Sequence, residues 1–253
     1  MRRLLPACVL VLACCACSPA AQCDQSHEPR ACVRVLFIGN SYTFVNDLPA
    51  TLTELARAGG RTLETGMAAS GGWTLAQHAA AQPTLELLAA PRWDYVVLQE
   101  QSQTPASPRA RTATMYPAIR TLVGSIRQAR ATALLFQTWA HREGWPEQGL
   151  PTYRSMQAQI DQGYRAIGGE LNVQVVAVGD AWASALGRDG DAELWQSDGS
   201  HPSEQGTYLA ACVFYAAIFG ASPEGLAYRG TLSAERAQQL QTIAADTVLK
   251  GRS

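Results

Sequence analysis

Short apolar runs that alternate with helical patterns constrain the fold of this chain more than any other feature. Four such runs lie at residues 33–39, 95–99, 131–139 and 173–179, and a weaker candidate lies at residues 62–69. Runs of this length that are apolar at nearly every position are typical of strands buried on both faces of a parallel sheet. The sequence therefore predicts about five strands.

The segments between these runs have the pattern of helices. They lie at residues 48–58, 75–88, 108–129 and 151–167, and a further helix is expected to begin near Ser203. Strands that alternate with helices form right-handed crossover units, which place a sheet between two helical layers. We predict a three-layer α/β sandwich with a mainly parallel five-stranded sheet, whose ligands bind at the carboxyl ends of the strands. With 253 residues, 47% of them hydrophobic, the chain is long enough for one substantial core, which we assign to residues 33–253.

The N-terminus has the pattern of an export signal. Arg2 and Arg3 precede an apolar run at residues 4–13, which is followed by small residues and cysteines. We predict a signal peptide of the lipoprotein type at residues 1–17, with Cys15 or Cys17 as the acylated residue, followed by a polar tether at residues 18–32. The expected location is therefore the bacterial envelope, through a lipid anchor. Release into the periplasm or secretion is the alternative.

The remaining cysteines have two different environments. Cys23 and Cys32 flank a polar stretch, and in an oxidising compartment they either form a disulfide or stay as two free thiols. Cys212 lies in an apolar run at residues 208–219 and is predicted to be a small core residue.

Charge and motif content exclude several functions. The formal net charge is -1, from 20 basic and 21 acidic residues without a long run of either sign, so nucleic acid is not an expected partner. The four histidines are scattered and the cysteine spacings do not match a zinc site. The chain also lacks the glycine-rich fingerprints of nucleotide and dinucleotide binding. No metal and no cofactor are predicted.

Two motifs supply the side chains of acyl-transfer chemistry. GNSYT at residues 39–43 follows the first predicted strand, and DGSHP at residues 198–202 precedes the last predicted helix. A serine is a poor nucleophile near neutral pH unless a histidine takes its proton and a carboxylate orients the histidine. The D-x-x-H spacing allows Asp198 to reach Nδ1 of His201, which leaves Nε2 for Ser41. The sequence predicts a triad of Ser41, His201 and Asp198, although each motif alone is also compatible with an ordinary turn.

A tetrahedral intermediate also needs N–H donors for its oxyanion. The turn SGGWT at residues 70–74 offers backbone N–H groups at its glycines, where no Cβ hinders approach, or is a plain strand-to-helix turn. The side-chain amide of Gln99 or Gln101, just after the third strand, is a second candidate donor.

These motifs resemble the sequence blocks of the SGNH (GDSL-like) hydrolases. GNS is similar to the first block, with Asn40 where the family usually has Asp, and DGSHP resembles the last. The third block departs from the family pattern G-x-N-D, because this chain has QEQS at residues 99–102 and Gln101 stands at the position of the Asn. The GNSYT and LQEQS variants resemble a less characterised subgroup.

The resemblance implies a flavodoxin-like α/β/α fold and an oxyanion hole. Its donors would be the amides of Ser41 and Gly72, with Gly71 as the alternative to Gly72, and the side chain of Gln101, with Gln99 as the alternative. Five further residues near the same predicted edge are candidates for substrate contact, with packing or capping as the alternative for each: Asn40, Trp73, His78, Trp139 and His141.

The sequence thus predicts an exported serine esterase. The expected substrate is a carboxylic ester, with an O-acetyl group on a carbohydrate or envelope glycan as the first candidate. A lipase, lysophospholipase or thioesterase would use the same residues on a longer acyl chain and would need a deep apolar channel. A groove lined by Trp73, Trp139 and Trp145 would favour a glycan. The alternative from another class is a non-catalytic module that binds glycan.

Overall fold

Five parallel strands form the centre of the molecule. The computed structural model describes residue 23 and residues 32–90, 93–190 and 193–250. The strands of the sheet lie side by side in the order β2-β1-β3-β4-β5. They are β1 (Cys32–Gly39), β2 (Thr62–Ala69), β3 (Tyr95–Leu98), β4 (Thr132–Gln137) and β5 (Gln174–Ala177). The predicted five-stranded parallel sheet is confirmed.

Helices cover both faces of this sheet. Those of the described residues are α1 (Ser41–Phe44), α2 (Leu48–Ala58), α3 (Leu75–Ala80), α4 (Gln82–Ala89), α5 (Pro108–Ala110), α6 (Tyr116–Gln128), α7 (Tyr153–Leu171), α8 (Val178–Arg188), α9 (Glu204–Phe219) and α10 (Ala234–Leu249). A π-helical turn, Arg111–Met115, joins α5 to α6. Short 3-10 helices lie at Thr104–Ala106 and Pro146–Gln148.

Two hydrophobic clusters hold the three layers together. In β1, Val35 and Phe37 pack with α2, α8, α9 and α10 on one face, whereas Leu36 and Ile38 pack with α3, α4, α6 and α7 on the other. This alternation follows from the two-residue period of a strand. Because both faces of the strand are buried, the sequence of β1 is apolar at almost every position. The three-layer α/β sandwich is confirmed.

Several predicted boundaries were wrong for local reasons. The helix predicted at residues 75–88 is interrupted at Ala81, and Pro83, which has no N–H to continue the helix, lies in the first turn of α4. The strand predicted at residues 173–179 ends at Ala177, because Val178 begins α8. An apolar run of this length fits either a buried strand or a buried helix.

The structure shows whether the described cysteines form a disulfide or stay as free thiols. Cys23 and Cys32 form a disulfide with Cα atoms 5.5 Å apart, and β1 begins at Cys32, the last residue of the predicted tether. Cys212 is a free, fully buried thiol in α9, as predicted. The predicted signal peptide and most of the tether lie outside the described residues. Within the described ranges, no helix has the length and apolar character needed to cross a membrane.

Candidate active site

The turn after β1 presents Ser41 at the carboxyl edge of the sheet. Asn40 caps α1: its Oδ1 accepts from the N–H of Tyr42 at 3.1 Å, and its Nδ2 donates to the carbonyl of Trp73 at 2.9 Å. Gln99 braces the turn from β3, since its Oε1 accepts from the N–H of Asn40 at 2.8 Å and from Oγ1 of Thr43 at 3.0 Å. The site lies between β1 and β3, where the strand order reverses direction, which is the usual ligand position in such sheets.

Ser41, His201 and Asp198 lie in hydrogen-bonding contact. Nε2 of His201 is 2.9 Å from Oγ of Ser41, and Nδ1 of His201 is 2.5 Å from Oδ2 of Asp198. With Nδ1–H donating to the carboxylate, Nε2 is the nitrogen that accepts from the serine hydroxyl. The structure therefore brings together the three residues that the sequence predicts as a triad.

The carboxyl of Asp198 stays ionised in this arrangement. Partial burial raises its pKa, but the hydrogen bonds from His201 and from the N–H groups of Ser200 and His201 outweigh this and lower the pKa to about 2. The side chain is 45% exposed. An ionised carboxylate at Nδ1 stabilises the cation that forms when His201 takes a proton.

Two aromatic side chains hold the loop that carries Asp198 and His201. Nε1 of Trp139 donates to the carbonyl of Ser200 at 3.0 Å, and the hydroxyl of Tyr42 lies 2.8 Å from Oγ of Ser200. Beyond the loop, an antiparallel bridge pairs Trp195 with Pro202. The position of His201 is thus fixed by buried groups rather than by solvent-exposed contacts alone.

Backbone N–H groups of the predicted oxyanion donors are available. Gly72 has a φ of 71°, and a Cβ at this position would meet no atom within 4 Å, so the turn is open on the side of the glycine. The N–H of Trp73 closes the turn onto Ser70 at 3.1 Å. For the N–H groups of Ser41, Gly71 and Gly72, the described residues provide no acceptor.

The two glutamines after β3 have different roles. Oε1 of Gln101 accepts from the N–H groups of Gln103 and Thr104 and from Oγ1 of Thr104, at 2.9, 3.1 and 3.2 Å, so the orientation of its amide is defined. Its Nε2 donates to Oγ of Ser102 at 3.2 Å, and its second N–H has no acceptor among the described residues. Gln99, the predicted alternative donor, braces Asn40 and Thr43 and donates from Nε2 to the carbonyl of Glu100.

Comparison with solved structures of the same architecture assigns the chain to a superfamily. A protein from Slackia heliotrinireducens that is assigned to the SGNH hydrolases is 28% identical over 74% of this chain and 99% of its own, with a TM-score of 0.64. The chain belongs to the SGNH (GDSL-like) hydrolase superfamily.

Other solved structures share the fold at lower identity. A DUF4886 family protein from Bacteroides uniformis is 21% identical, with a TM-score of 0.74 over 88% of this chain and 96% of its own. The acetyl xylan esterase AlAXEase is 14% identical, with a TM-score of 0.60 over 74% of this chain and 100% of its own. No model of a protein family matches the sequence, and no curated protein sequence matches it either.

One buried carboxyl beside the site of this SGNH hydrolase lies outside the predicted triad. Glu100 is fully buried, and its Oε1 accepts from the N–H of Leu75 at 3.1 Å and from that of Gln101 at 2.7 Å. Its Oε2 has no partner among the described residues, and burial raises its pKa to about 7. The carboxyl joins the loops that follow β2 and β3. The only sequence signal is a glutamate placed directly after a buried strand.

Three side chains predicted to contact the substrate are buried and support the site from within. Asn40 is 2% exposed and caps the nucleophile turn. His78 is 1% exposed; its Nε2 lies 2.7 Å from the carbonyl of Gly39 and its Nδ1 lies 3.0 Å from Oγ1 of Thr84, while burial lowers its pKa. Trp139 is completely buried between the rings of Tyr42 and Trp182, so the predicted tryptophan groove does not include it.

Trp73 and His141 remain partly accessible at the edge of the site. Trp73 follows the Gly72 turn, and its ring centroid lies 5.0 Å from that of His78. Nε2 of His141 lies 3.2 Å from Oγ of Ser102. Burial lowers the pKa of His141, Asp198 opposes this effect and His201 adds to it, so His141 is neutral at pH 7.

A polar groove of about 610 Å³ borders the loop that carries Asp198 and His201, and no triad side chain lines it. Arg142, whose N–H donates to the carbonyl of Gly199 at 2.8 Å, lines one side and stands 5.4 Å from the ring centroid of Trp195. The other lining residues are mostly polar or charged and include Glu193, Glu204, Thr231 and Arg236. In the described ranges, no group of three or more histidine, cysteine or acidic side chains has the geometry to hold a metal ion.

Proposed function

We propose that this carboxylic ester hydrolase is an exported esterase that removes a short acyl group, such as acetate, from a carbohydrate or envelope glycan. The observation that carries the proposal is the pair of contacts at His201: 2.9 Å from Nε2 to Oγ of Ser41 and 2.5 Å from Nδ1 to Oδ2 of Asp198. A hydroxyl, a base and an orienting carboxylate in this order are the parts of an activated serine.

The proposed reaction has two halves. Ser41 attacks the ester carbonyl while Nε2 of His201 takes the hydroxyl proton, and the carboxylate of Asp198 stabilises the resulting imidazolium. The N–H groups of Ser41 and Gly72 and the amide of Gln101 bind the oxyanion. His201 then gives its proton to the leaving alcohol, which leaves the acyl group on Ser41. In the second half, His201 activates a water that attacks this acyl group, and the carboxylic acid is released.

Two observations support a carbohydrate as the alcohol. The groove beside the catalytic loop is lined mainly by polar and charged side chains, which suits a hydroxylated molecule better than a long acyl chain. The acetyl xylan esterase described above has the same fold. Export, predicted from residues 1–17, would give the enzyme access to envelope and extracellular glycans.

A panel of esters of increasing acyl length tests this proposal. We expect the full-length protein to hydrolyse p-nitrophenyl acetate with a higher kcat/KM than the butyrate, octanoate or palmitate, and to release acetate from acetylated xylan. The Ser41→Ala variant should lose the activity while retaining its circular dichroism spectrum, and the matched Ser125→Ala variant on α6 should retain both.

Other outcomes of the panel contradict specific parts of the proposal. A preference for octanoate or palmitate would replace the proposed substrate by that of a lipase, lysophospholipase or thioesterase. Full activity of Ser41→Ala would refute the mechanism. Absence of hydrolysis of every ester would favour a glycan-binding module.

A further inference from the structure

The hydroxyl of Ser102 is the centre of a polar network beside the candidate triad. Its Oγ lies 3.2 Å from Nε2 of Gln101 and 3.2 Å from Nε2 of His141, and it also interacts with the phenol of Tyr42. Tyr42 in turn lies 2.8 Å from Oγ of Ser200, in the loop of His201. Ser102 is buried and takes no part in the proposed steps of ester hydrolysis.

The hydrogen bond from Gln101 sets the direction of the contacts at Ser102. An amide nitrogen can only donate, so Nε2 of Gln101 donates to Oγ of Ser102. Because His141 is neutral at pH 7, its Nε2 can accept the hydroxyl proton of Ser102. With the proton of His141 on Nδ1, the chain of donors runs from Gln101 through Ser102 to His141, and each hydrogen bond polarises the next.

Both ends of the Gln101 amide are consequently held. Three donors from the Thr104 turn fix Oε1, and Ser102 takes one hydrogen of Nε2. Only the second N–H of this nitrogen is left for another acceptor. The backbone N–H of Gln101 donates to Glu100, which also accepts from the N–H of Leu75 after the Gly72 turn. Ser102 interacts with Tyr42, the residue that follows Ser41.

We propose that Ser102 and His141 are positioning residues that direct the second N–H of Gln101 toward the oxyanion. This inference rests on the proposed esterase function and deepens it. A glutamine side chain has one more rotatable bond than the asparagine of the usual third block, so it needs an extra contact to hold its donor in one place. The hydroxyl of Ser102 supplies that contact, and the imidazole of His141 fixes the orientation of the hydroxyl.

A double-mutant cycle on the full-length protein tests the inference. Gln101→Ala removes an oxyanion donor and should lower kcat for p-nitrophenyl acetate about 100-fold. Ser102→Ala leaves the donor present but less well aimed, so we expect a fall in kcat of about tenfold with KM unchanged. Because Ser102 acts through Gln101, the double variant should be no slower than Gln101→Ala within about twofold.

Further variants separate positioning from a merely structural role. Ser102→Thr keeps the hydroxyl and should recover most of the activity, while His141→Phe should lower kcat about threefold because the hydroxyl loses its acceptor. Ser125→Ala is the matched control. His141→Phe and Ser102→Thr keep the inference testable even if Ser102→Ala folds poorly, which thermal unfolding monitored by circular dichroism would reveal.

The outcomes distinguish this inference from the proposed function. An active wild-type protein with undiminished kcat in folded Ser102→Ala would overturn the positioning role alone. So would a loss of about 1000-fold in the double variant, since the two residues would then act independently. A wild-type protein without esterase activity would overturn the proposed function and the inference with it.

Discussion

Gln99 and Gln101 are two glutamines separated by one residue, yet their side-chain amides make different contacts. Gln99 is fully buried and braces the turn of Ser41, whereas Gln101 keeps one N–H without an acceptor among the described residues. The difference arises at Glu100, whose carboxyl accepts the N–H of Gln101 as the chain leaves β3. At this edge, Gln99 holds the neighbouring turn, whereas Gln101 keeps a donor available for a ligand.

The pH dependence of the free energy of unfolding should show the raised pKa of Glu100. Burial raises its pKa from 4.5 to about 7, so the folded protein binds this proton more tightly than the unfolded chain. Its contribution to stability is complete below pH 4.5 and is lost as the pH rises through 7. Glu100→Gln cannot ionise, so its free energy of unfolding relative to the wild type should increase by about 2.5 kcal/mol between pH 5 and pH 8.

Urea unfolding of both proteins at the two pH values measures this difference. Glu86→Gln, at an exposed glutamate of α4, is the matched control. A constant difference between Glu100→Gln and the wild type at the two pH values would contradict the account of Glu100.

Asp198→Asn tests the orientation of His201. An asparagine amide that donates to Nδ1 would favour the tautomer with the proton on Nε2, which cannot accept from Ser41. We expect kcat for p-nitrophenyl acetate to fall by about 10⁴ with little change in thermal stability. An activity within tenfold of the wild type would show that Asp198 does not orient the base.

At the scale of elements, β1 and its following turn are the part that positions the chemistry. Gly39 is the last residue of β1. A Cβ on Gly39 would lie 2.5 Å from Oε1 of Gln99 and 2.7 Å from Oγ1 of Thr43. Both atoms belong to the hydrogen bond that braces α1. The close packing of strand end, turn and neighbouring strand therefore leaves no room for a side chain.

Gly39→Ala should consequently lower both stability and activity. Displacement of Gln99 is expected to cost about 1–3 kcal/mol, as overpacking does in other cores, and to move Ser41 away from His201. Gly124→Ala on α6 is the matched control, since a Cβ there meets no atom within 4 Å and should stabilise the helix slightly. Unfolding in urea and kcat measure the two effects. Wild-type values for Gly39→Ala would contradict the proposed bracing.

The elements that the sequence predicts well are those whose pattern is local. The bounds of α2 and β2 are correct, because Asp47 caps α2 and Gly59 ends it, while β2 lies between two turns. The first residues of α8, Val178 and Gly179, were assigned to a strand, since periodicity cannot separate short buried helices from buried strands, and the rest of α8 was not predicted. Helix α10 was not predicted at all.

In the candidate site too, residues with a local sequence pattern were predicted and those defined by tertiary packing were not. Two short motifs were sufficient to propose Ser41, His201 and Asp198, because their residue types and the D-x-x-H spacing are themselves chemical requirements. Trp139 lies near the predicted edge of the sheet, but its side chain is buried, because its ring stacks on those of Tyr42 and Trp182. Tertiary packing of this kind leaves no signal in one sequence.

In the whole molecule, the residues that stabilise the fold and the residues of the candidate site lie in different places. Two apolar clusters hold helices on the two faces of the sheet, and the candidate triad lies at the carboxyl edge between β1 and β3. The disulfide between Cys23 and Cys32 joins the start of β1 to the segment before it. Such a bond is typical of proteins in an oxidising compartment, which agrees with the predicted export signal.

Mass spectrometry of the membrane fraction tests the predicted lipid attachment. When the full-length chain is expressed in a bacterial host, we expect a mature N-terminus at Cys17 or Cys15 that carries a diacylglyceryl group. Cys15→Ala and Cys17→Ala variants would show which cysteine is used. Recovery of a soluble protein with an unmodified N-terminus beginning after Cys17 would contradict the anchor and favour periplasmic release.

Labelling with a fluorophosphonate most directly tests the central claim that Ser41 is a nucleophile activated by His201. The probe forms a covalent bond only with an activated serine, and digestion followed by mass spectrometry locates it. We predict that the wild-type protein carries the probe on Ser41, and that His201→Ala and Ser41→Ala remain unlabelled while folded. A wild-type protein that is not labelled, or one labelled at a different serine, would contradict the account.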